Sequence, residues 1–231
     1  MVKIITDSTA DFTAAEAAEL GIDIVHLRTH FGDEEYVDGI GLSPMQFYEK
    51  LVESDVMPCT SQPSPAEFES AFSAALETAD EVVAITISAE LSGTYQSAVI
   101  AAGGFDGRVR VVDSRSASIG EQILVRYAAR LPSEGRPAAE IESLPAANRS
   151  RTCVLALLDT LEYLKRGGRI SAAVAFAGGV LSIKPVVTLR DGAVALAGKA
   201  RGSKNGGNLL NQLVEKHGID VAMPYLLGYT G

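Results

Sequence analysis

Within its first third the chain repeats one helix-start signal three times, as Thr13-Ala14-Ala15-Glu16, Ser43-Pro44-Met45-Gln46 and Ser64-Pro65-Ala66-Glu67. In this capping box the Ser or Thr oxygen accepts an orphan amide of the first turn. The Glu or Gln three residues on reaches back to the amide of the cap. Pro44 and Pro65 suit the first helical position, where no amide bond is lost. Short apolar runs flank these starts: residues 2–6, 22–27 and 81–87 read as strands, and 108–113 follows them. Strand-like and helix-like segments in this alternation call for an α/β architecture.

The rest of the chain extends the pattern. Gly21 is a natural stop for the first helix. Residues 31–39 read as a loop or irregular hairpin, and 56–65 as a Pro/Ser loop. Helices are predicted over 95–102, 117–131 and 137–148. A strand follows at 152–158, then a short helix opened by Asp159-Thr160-Leu161-Glu162 and stopped at Gly167-Gly168. Residues 172–180 read as helix. Strands at 184–189 and 193–197 flank Asp191-Gly192, a strong two-residue hairpin signal. A helix over 206–217 and a last strand within 219–227 complete the pattern.

Charge divides the chain unevenly. Residues 1–148 carry 9 basic and 24 acidic side chains, whereas 149–204 carry 10 and 3. This change places a domain boundary near residue 149. The expected architecture is an N-terminal α/β domain (1–148) with a mainly parallel sheet. A C-terminal α/β domain (149–231) would hold a mixed sheet with the hairpin.

The formal net charge of −9 disfavours nonspecific nucleic-acid binding, which needs cations to displace counterions. Two distant cysteines, Cys59 and Cys153, make no disulfide framework, and a reduced, cytoplasmic setting is expected. An acid at position 7 interrupts any signal-peptide core. The longest apolar stretch, 172–181, is too short to cross a bilayer, so no transmembrane segment is expected. His26 and His30 are four apart but fall on a strand-like segment, so no metal pair is expected. There is no Walker-type loop and no dinucleotide fingerprint.

Three polar turns could carry chemistry: Asp7-Ser8-Thr9, Thr60-Ser61-Gln62-Pro63 and Ser92-Gly93-Thr94. All three precede a predicted helix. They are either plain turn formers and caps or an anion site built from hydroxyls and helix N-terminal amides. Ser92 as a nucleophile is an alternative, although Glu90-Leu91-Ser92 lacks the preceding glycine of a nucleophile elbow. Lys165-Arg166-Gly167-Gly168-Arg169 either offsets a helix dipole or presents a guanidinium on a turn. With Lys184, Lys199, Arg201 and Lys204 it would suit a phosphate or an acidic protein surface.

Taken together these motifs resemble the DegV family, the fatty-acid-binding subunits of bacterial fatty acid kinase. The matches are Ile5-Thr6-Asp7-Ser8-Thr9-Ala10-Asp11, Asp38-Gly39, Thr60-Ser61-Gln62-Pro63, Ser88 with Leu91-Ser92-Gly93-Thr94-Tyr95, and Asp113-Ser114. They continue with Asp159-Thr160-Leu161-Glu162-Tyr163-Leu164, Gly167-Gly168-Arg169-Ile170 and Ile183-Lys184-Pro185. The resemblance implies a two-domain fold with one long-chain fatty acid in a buried apolar tunnel, which 172–180 could line. It implies that Thr60 and Ser92 hold the carboxylate, with Ser61 and the amides of Gly93 and Thr94 beside them. Arg169 would lie near the carboxylate and assist phosphotransfer, and Arg201, with Lys199 next to it, would dock the kinase.

That kinase subunit, a separate protein, would bring ATP and metal and form an acyl phosphate. No cofactor of the chain's own, no metal and no catalytic residue beyond Arg169's assistance is implied. Transient contact with a membrane surface is compatible with the role. Carriage of another small acidic metabolite is the further alternative. Family members usually continue roughly a fifth longer, through a His-Gly-containing motif that closes the site. His217 does not sit in such a motif, so the C-terminal domain is expected to be incomplete at its C-terminus.

Overall fold

The computed structural model describes residues 1–170 and 182–229. In chain order its elements are β1 (Val2–Asp7), α1 (Ala14–Leu20), β2 (Asp23–Val25), β3 (Arg28–Phe31), β4 (Glu34–Val37), α2 (Pro44–Glu53), β5 (Cys59–Ser61), α3 (Pro65–Leu76) and β6 (Glu81–Thr86). There follow α4 (Thr94–Ala102), β7 (Val109–Asp113), α5 (Ile119–Arg130), α6 (Ala138–Asn148), β8 (Leu155–Leu157), α7 (Glu162–Arg166), β9 (Ile183–Arg190), β10 (Ala193–Arg201) and α8 (Ser203–His217).

All three capping boxes form. Thr13, Ser43 and Ser64 accept from the amides of Glu16, Gln46 and Glu67, whose side chains reach back to the cap amides. Gly21 ends α1 in the left-handed region at φ +65°.

β2-β1-β6-β7 form a wholly parallel sheet. Because side chains alternate across a strand, Ile4, Val83 and Ile85 face one way, onto Ala17, Val125, Ala128 and Ile141 of α1, α5 and α6. Ile5, Val82 and Ala84 face the other way, onto Phe68, Phe72, Ala98 and Ala101 of α3 and α4. Helices on both faces explain why these strands read as continuous apolar runs. Phe72 sits between Phe68 and Phe105, with ring centroids 5.7 and 5.8 Å away.

Two smaller antiparallel sheets flank this core. β4-β3-β5 is built from segments with weak strand signals. Residues 31–39 hold part of a regular hairpin, and the predicted loop at 56–65 contains β5, paired to β3 with Thr29 opposite Thr60. β10-β9-β8 contains the expected hairpin, and all its described pairings are antiparallel. Asp191 and Gly192 turn it at φ +52° and +87°, a conformation that glycine adopts freely. α8 lies on this sheet, with Leu209 against Gly198 and Leu157 against Gly206.

One predicted element does not form. Residues 219–227 hold a turn at 220–223 and then irregular chain, with Leu227 97% exposed. Pro224 removes an amide from any ladder, and this stretch pairs with no neighbouring strand. The helix predicted over 172–180 lies outside the described residues. Cys59 and Cys153 are free and exposed. No helix among the described residues is long and apolar enough to cross a membrane.

Candidate functional site

The parallel sheet has a topological switch. From β1 the chain passes through α1 to β2 on one side, and from β6 through α4 to β7 on the other. The crevice between the carboxyl ends of two such strands is where ligands of open α/β sheets bind. Asp7 ends β1 and bridges this crevice. Its Oδ2 accepts from the Ile87 amide at 2.8 Å, and its Oδ1 from the Thr9 amide at 3.0 Å.

Beyond Ile87 the chain folds into a tight turn. The Ser88 carbonyl accepts from the amides of Leu91 (3.0 Å) and Ser92 (3.2 Å). Ser88 Oγ donates to the Gly192 carbonyl at 2.8 Å, so the β9–β10 hairpin turn is fastened to this loop. Ser92 Oγ lies 2.9 Å from Thr94 Oγ1 and accepts from the Thr94 amide at 3.3 Å. Gly93 is the N-cap of α4 and has no side chain to occupy the first-turn amides. Ser92, Gly93 and Thr94 therefore form a hydroxyl-lined helix N-terminus at the switch point, a natural seat for an anion.

The second loop meets it through a residue whose role the sequence motif alone does not reveal. Gln62, just past β5, donates from Nε2 to Ser97 Oγ on α4 at 3.0 Å. Its amide lies where a Gly93 side chain would be, only 2.1 Å from an ideal Cβ. Thr60 and Ser61 are carried two and one residues before it, exposed, with Ser61 Oγ 3.0 Å from His30 Nε2. The glycine after Ser92 is the signal that could have pointed to Gln62. Gly93→Ala is expected to push the Gln62 amide off Ser97 and lower stability by about 1 kcal/mol. Chemical denaturation checks this, and an unchanged midpoint contradicts the contact.

The third piece is Arg169. Its Nε donates to the Leu91 carbonyl at 3.1 Å and its Nη1 to the Gly167 carbonyl at 2.6 Å. Gly168, at φ +73°, shapes the turn that delivers it. The guanidinium is thus held beside the residue preceding Ser92, across 78 positions of sequence.

Not every candidate gathers here. Lys199 and Arg201 share the solvent side of β10, opposite Pro185 and Ile183. Arg201 ends a nine-residue strand whose other end adjoins the Gly192 turn. At about 3.3 Å per strand residue it stands on the order of 25 Å along the strand from Ser88. Two hollows, of about 360 and 380 Å3, open at other places: beside Arg126 and Val221, and beside Tyr95 and Val109. Neither is lined by Thr60, Ser92 or Arg169. Residues 172–180, the expected tunnel lining, lie outside the described residues.

His26 Nδ1 is bound to the Asp38 carbonyl at 2.7 Å, apart from His30. Among the described residues no group of three or more His, Cys, Asp or Glu is placed to hold a metal. Burial raises the carboxyl pKa of Asp7, although amides and a hydroxyl donate to it, and burial likewise raises that of Asp11.

The chain matches the DegV family model, described as an uncharacterised protein family, over residues 1–224. A DegV domain-containing protein of Deinococcus radiodurans is 41% identical over 88% of this chain and 72% of its own length. One of Caldanaerobacter subterraneus is 37% identical over 96% and 79%. Among solved structures, a fatty-acid-binding DegV family protein of Thermus thermophilus superposes with a TM-score of 0.87 at 39% identity, covering 94% of this chain and 77% of that one. The fatty acid kinase (Fak) B3 protein of Streptococcus pneumoniae, loaded with linoleic acid, gives 0.82 at 27% identity, covering 94% and 78%. With a family model spanning nearly its whole length and relatives of this similarity, the chain belongs to the DegV family.

Proposed function

We propose that this chain binds one long-chain fatty acid and presents its carboxylate to a separate kinase subunit. The observation that carries this reading is the meeting of three loops at the start of α4: the β5 edge through Gln62, the Ser92-Gly93-Thr94 turn, and Arg169 on the Leu91 carbonyl. A carboxylate taken out of water is costly unless donors replace its hydration. Hydroxyls, helix N-terminal amides and a guanidinium are such donors. Thr60, Ser61, Ser92, Gly93 and Thr94 hold the carboxylate in this reading, with Arg169 at its edge. The fatty acids carried by the Thermus and Streptococcus relatives support it. The kinase brings ATP. The bound carboxylate oxygen forms a new bond to the terminal phosphorus as the bond to ADP breaks, leaving an acyl phosphate.

In this reading residues 1–148 form the carboxylate-binding domain and 149–231 the docking domain, in a cytoplasmic protein. Arg201 and Lys199, exposed and far along β10 from the turn, suit a partner surface rather than the carboxylate. Arg201→Ala is expected to slow acyl phosphate formation by the assembled kinase at least fivefold with fatty-acid affinity within twofold, roughly the effect of one lost charge-assisted bond. Titration with oleate and a coupled kinase assay separate the two. Equal losses in both contradict a docking role.

A Ser92-dependent hydrolase has less support. Ser92 Oγ meets Thr94, and among the described residues no imidazole or carboxylate is bonded to it. Turnover of an activated ester that disappears in Ser92→Ala would favour the hydrolase and overturn the carrier. A polar acid such as a sugar phosphate is the remaining competitor. Extraction of the ligand that accompanies the purified protein decides between them.

A further inference from the structure

Glu121 lies on the third residue of α5, where a glutamate usually faces solvent, yet it is fully buried. Its Oε1 accepts from Thr6 Oγ1 at 3.2 Å, and its Oε2 lies 2.9 Å from Thr9 Oγ1. The same Thr9 hydroxyl lies 2.5 Å from Asp7 Oδ1. A hydroxyl has one proton and can donate to only one of two carboxylates. The other contact is a hydrogen bond only if that carboxyl group itself donates to Thr9.

The backbone decides which acid carries the proton. Both Asp7 oxygens accept amide protons, from Ile87 and Thr9, so Asp7 is the acceptor-only anion. Thr9 then donates to Asp7, and Glu121 donates to Thr9. The charges that face this pair are also acidic: Asp11 near Glu121 and Asp38 near Asp7. Asp11 is engaged with Ser118 Oγ at the start of α5. Arg126 on α5 is turned to Glu16 of α1, and Arg110 of β7 to Glu142 of α6. None of the ion pairs among the described residues involves Asp7, Asp11 or Glu121. The α5 N-terminal dipole favours a Glu121 anion, but less than burial of a second unpaired carboxylate disfavours it.

We propose that Glu121 is a positioning residue that acts as a neutral acid, holding through Thr9 and Asp7 the Ile87 amide and so the 88–94 turn that carries Ser92. The link to ligand rests on the carboxylate-binding reading above; the protonation of Glu121 does not. Burial first, then the Asp7 charge, pushes its pKa well above 4.5. A group with a raised folded-state pKa gives stability that is fully present below its unfolded value and lost as pH rises through the folded one. Alkaline pH therefore places two anions across one hydroxyl and loosens the Asp7–Ile87 tie.

The test uses the full chain and Glu121→Gln, whose amide still donates to Thr9 and cannot ionise. Denaturation midpoint and oleate affinity are measured from pH 6 to 9. The midpoint is expected to fall with pH in the parent and to flatten in E121Q. Where the parent midpoint levels off, Glu121 has ionised. Across that pH, affinity is expected to fall by up to tenfold per pH unit for one proton in the parent and not in E121Q. Parallel midpoint profiles overturn the protonation. Diverging midpoints with parallel affinity profiles overturn the positioning role. The infrared carbonyl stretch of a protonated carboxylic acid, present in the parent at pH 7 and gone in E121Q, supports the assignment. Its absence in the parent overturns it whether or not the variant folds. A parent that fails to bind oleate at every pH counts against the fatty-acid reading, and the midpoint and infrared results still decide Glu121.

Discussion

Thr60→Ala and Ser92→Ala are each expected to weaken long-chain fatty-acid binding by about 1–3 kcal/mol, roughly five- to 150-fold in affinity. In the proposed site each change removes one hydroxyl donor from a carboxylate that has left water. The two loops are tied through Gln62 to the start of α4, so the pair should act on one ligand group. The double variant is therefore expected to depart from additivity, as neighbouring partners of one group do. Thr60 is exposed and on a strand edge, and Ser92 is half-buried, so neither loss should unfold the protein. Calorimetric titration with oleate measures the effect. Unchanged affinity in both single variants removes them from the site.

The largest stability effect is expected at Phe72. Its ring is fully buried between Phe68 and Phe105 on the face of the sheet that carries α3 and α4. Phe72→Ala deletes an aromatic side chain from a close-packed core, at a cost of about 3–5 kcal/mol. Domains of this kind are stable by about 5–15 kcal/mol, so much of the margin disappears. The same face fixes α4 against β6, and with it the amides next to Ser92. Urea unfolding should show a lower midpoint with an unchanged slope. A loss under about 1 kcal/mol contradicts the packing described.

The parts of the fold legible in sequence were those with local causes. The capping boxes at Thr13, Ser43 and Ser64 each use a donor and acceptor three residues apart, and Asp191-Gly192 needs only its own backbone angles. The β3–β4–β5 sheet was less legible. Its strands are three or four residues long, and Glu34 and Glu35 obscure any apolar alternation. The apolar residues at 219–227 suggest a strand, but a strand needs a pairing neighbour, which no local pattern guarantees.

The site divides in the same way. Thr60, Ser92 and Arg169 stand in recognisable short motifs. The contact of Arg169 with the Leu91 carbonyl and the wedge of Gln62 against Gly93 join residues 78 and 31 positions apart, so only the fold reveals them. Glu121 was hidden for a different reason. In sequence it resembles any first-turn helix acid, and only its burial against Thr6, Thr9 and Asp7 sets it apart.

Native mass spectrometry of the purified protein, followed by release and identification of whatever it carries, decides whether the chain is a fatty-acid carrier. The expected result is one long-chain fatty acid per chain, lost or exchanged more readily in the Ser92→Ala variant. A sugar phosphate or another polar acid in its place, or a protein that stays empty when offered oleate, would contradict it.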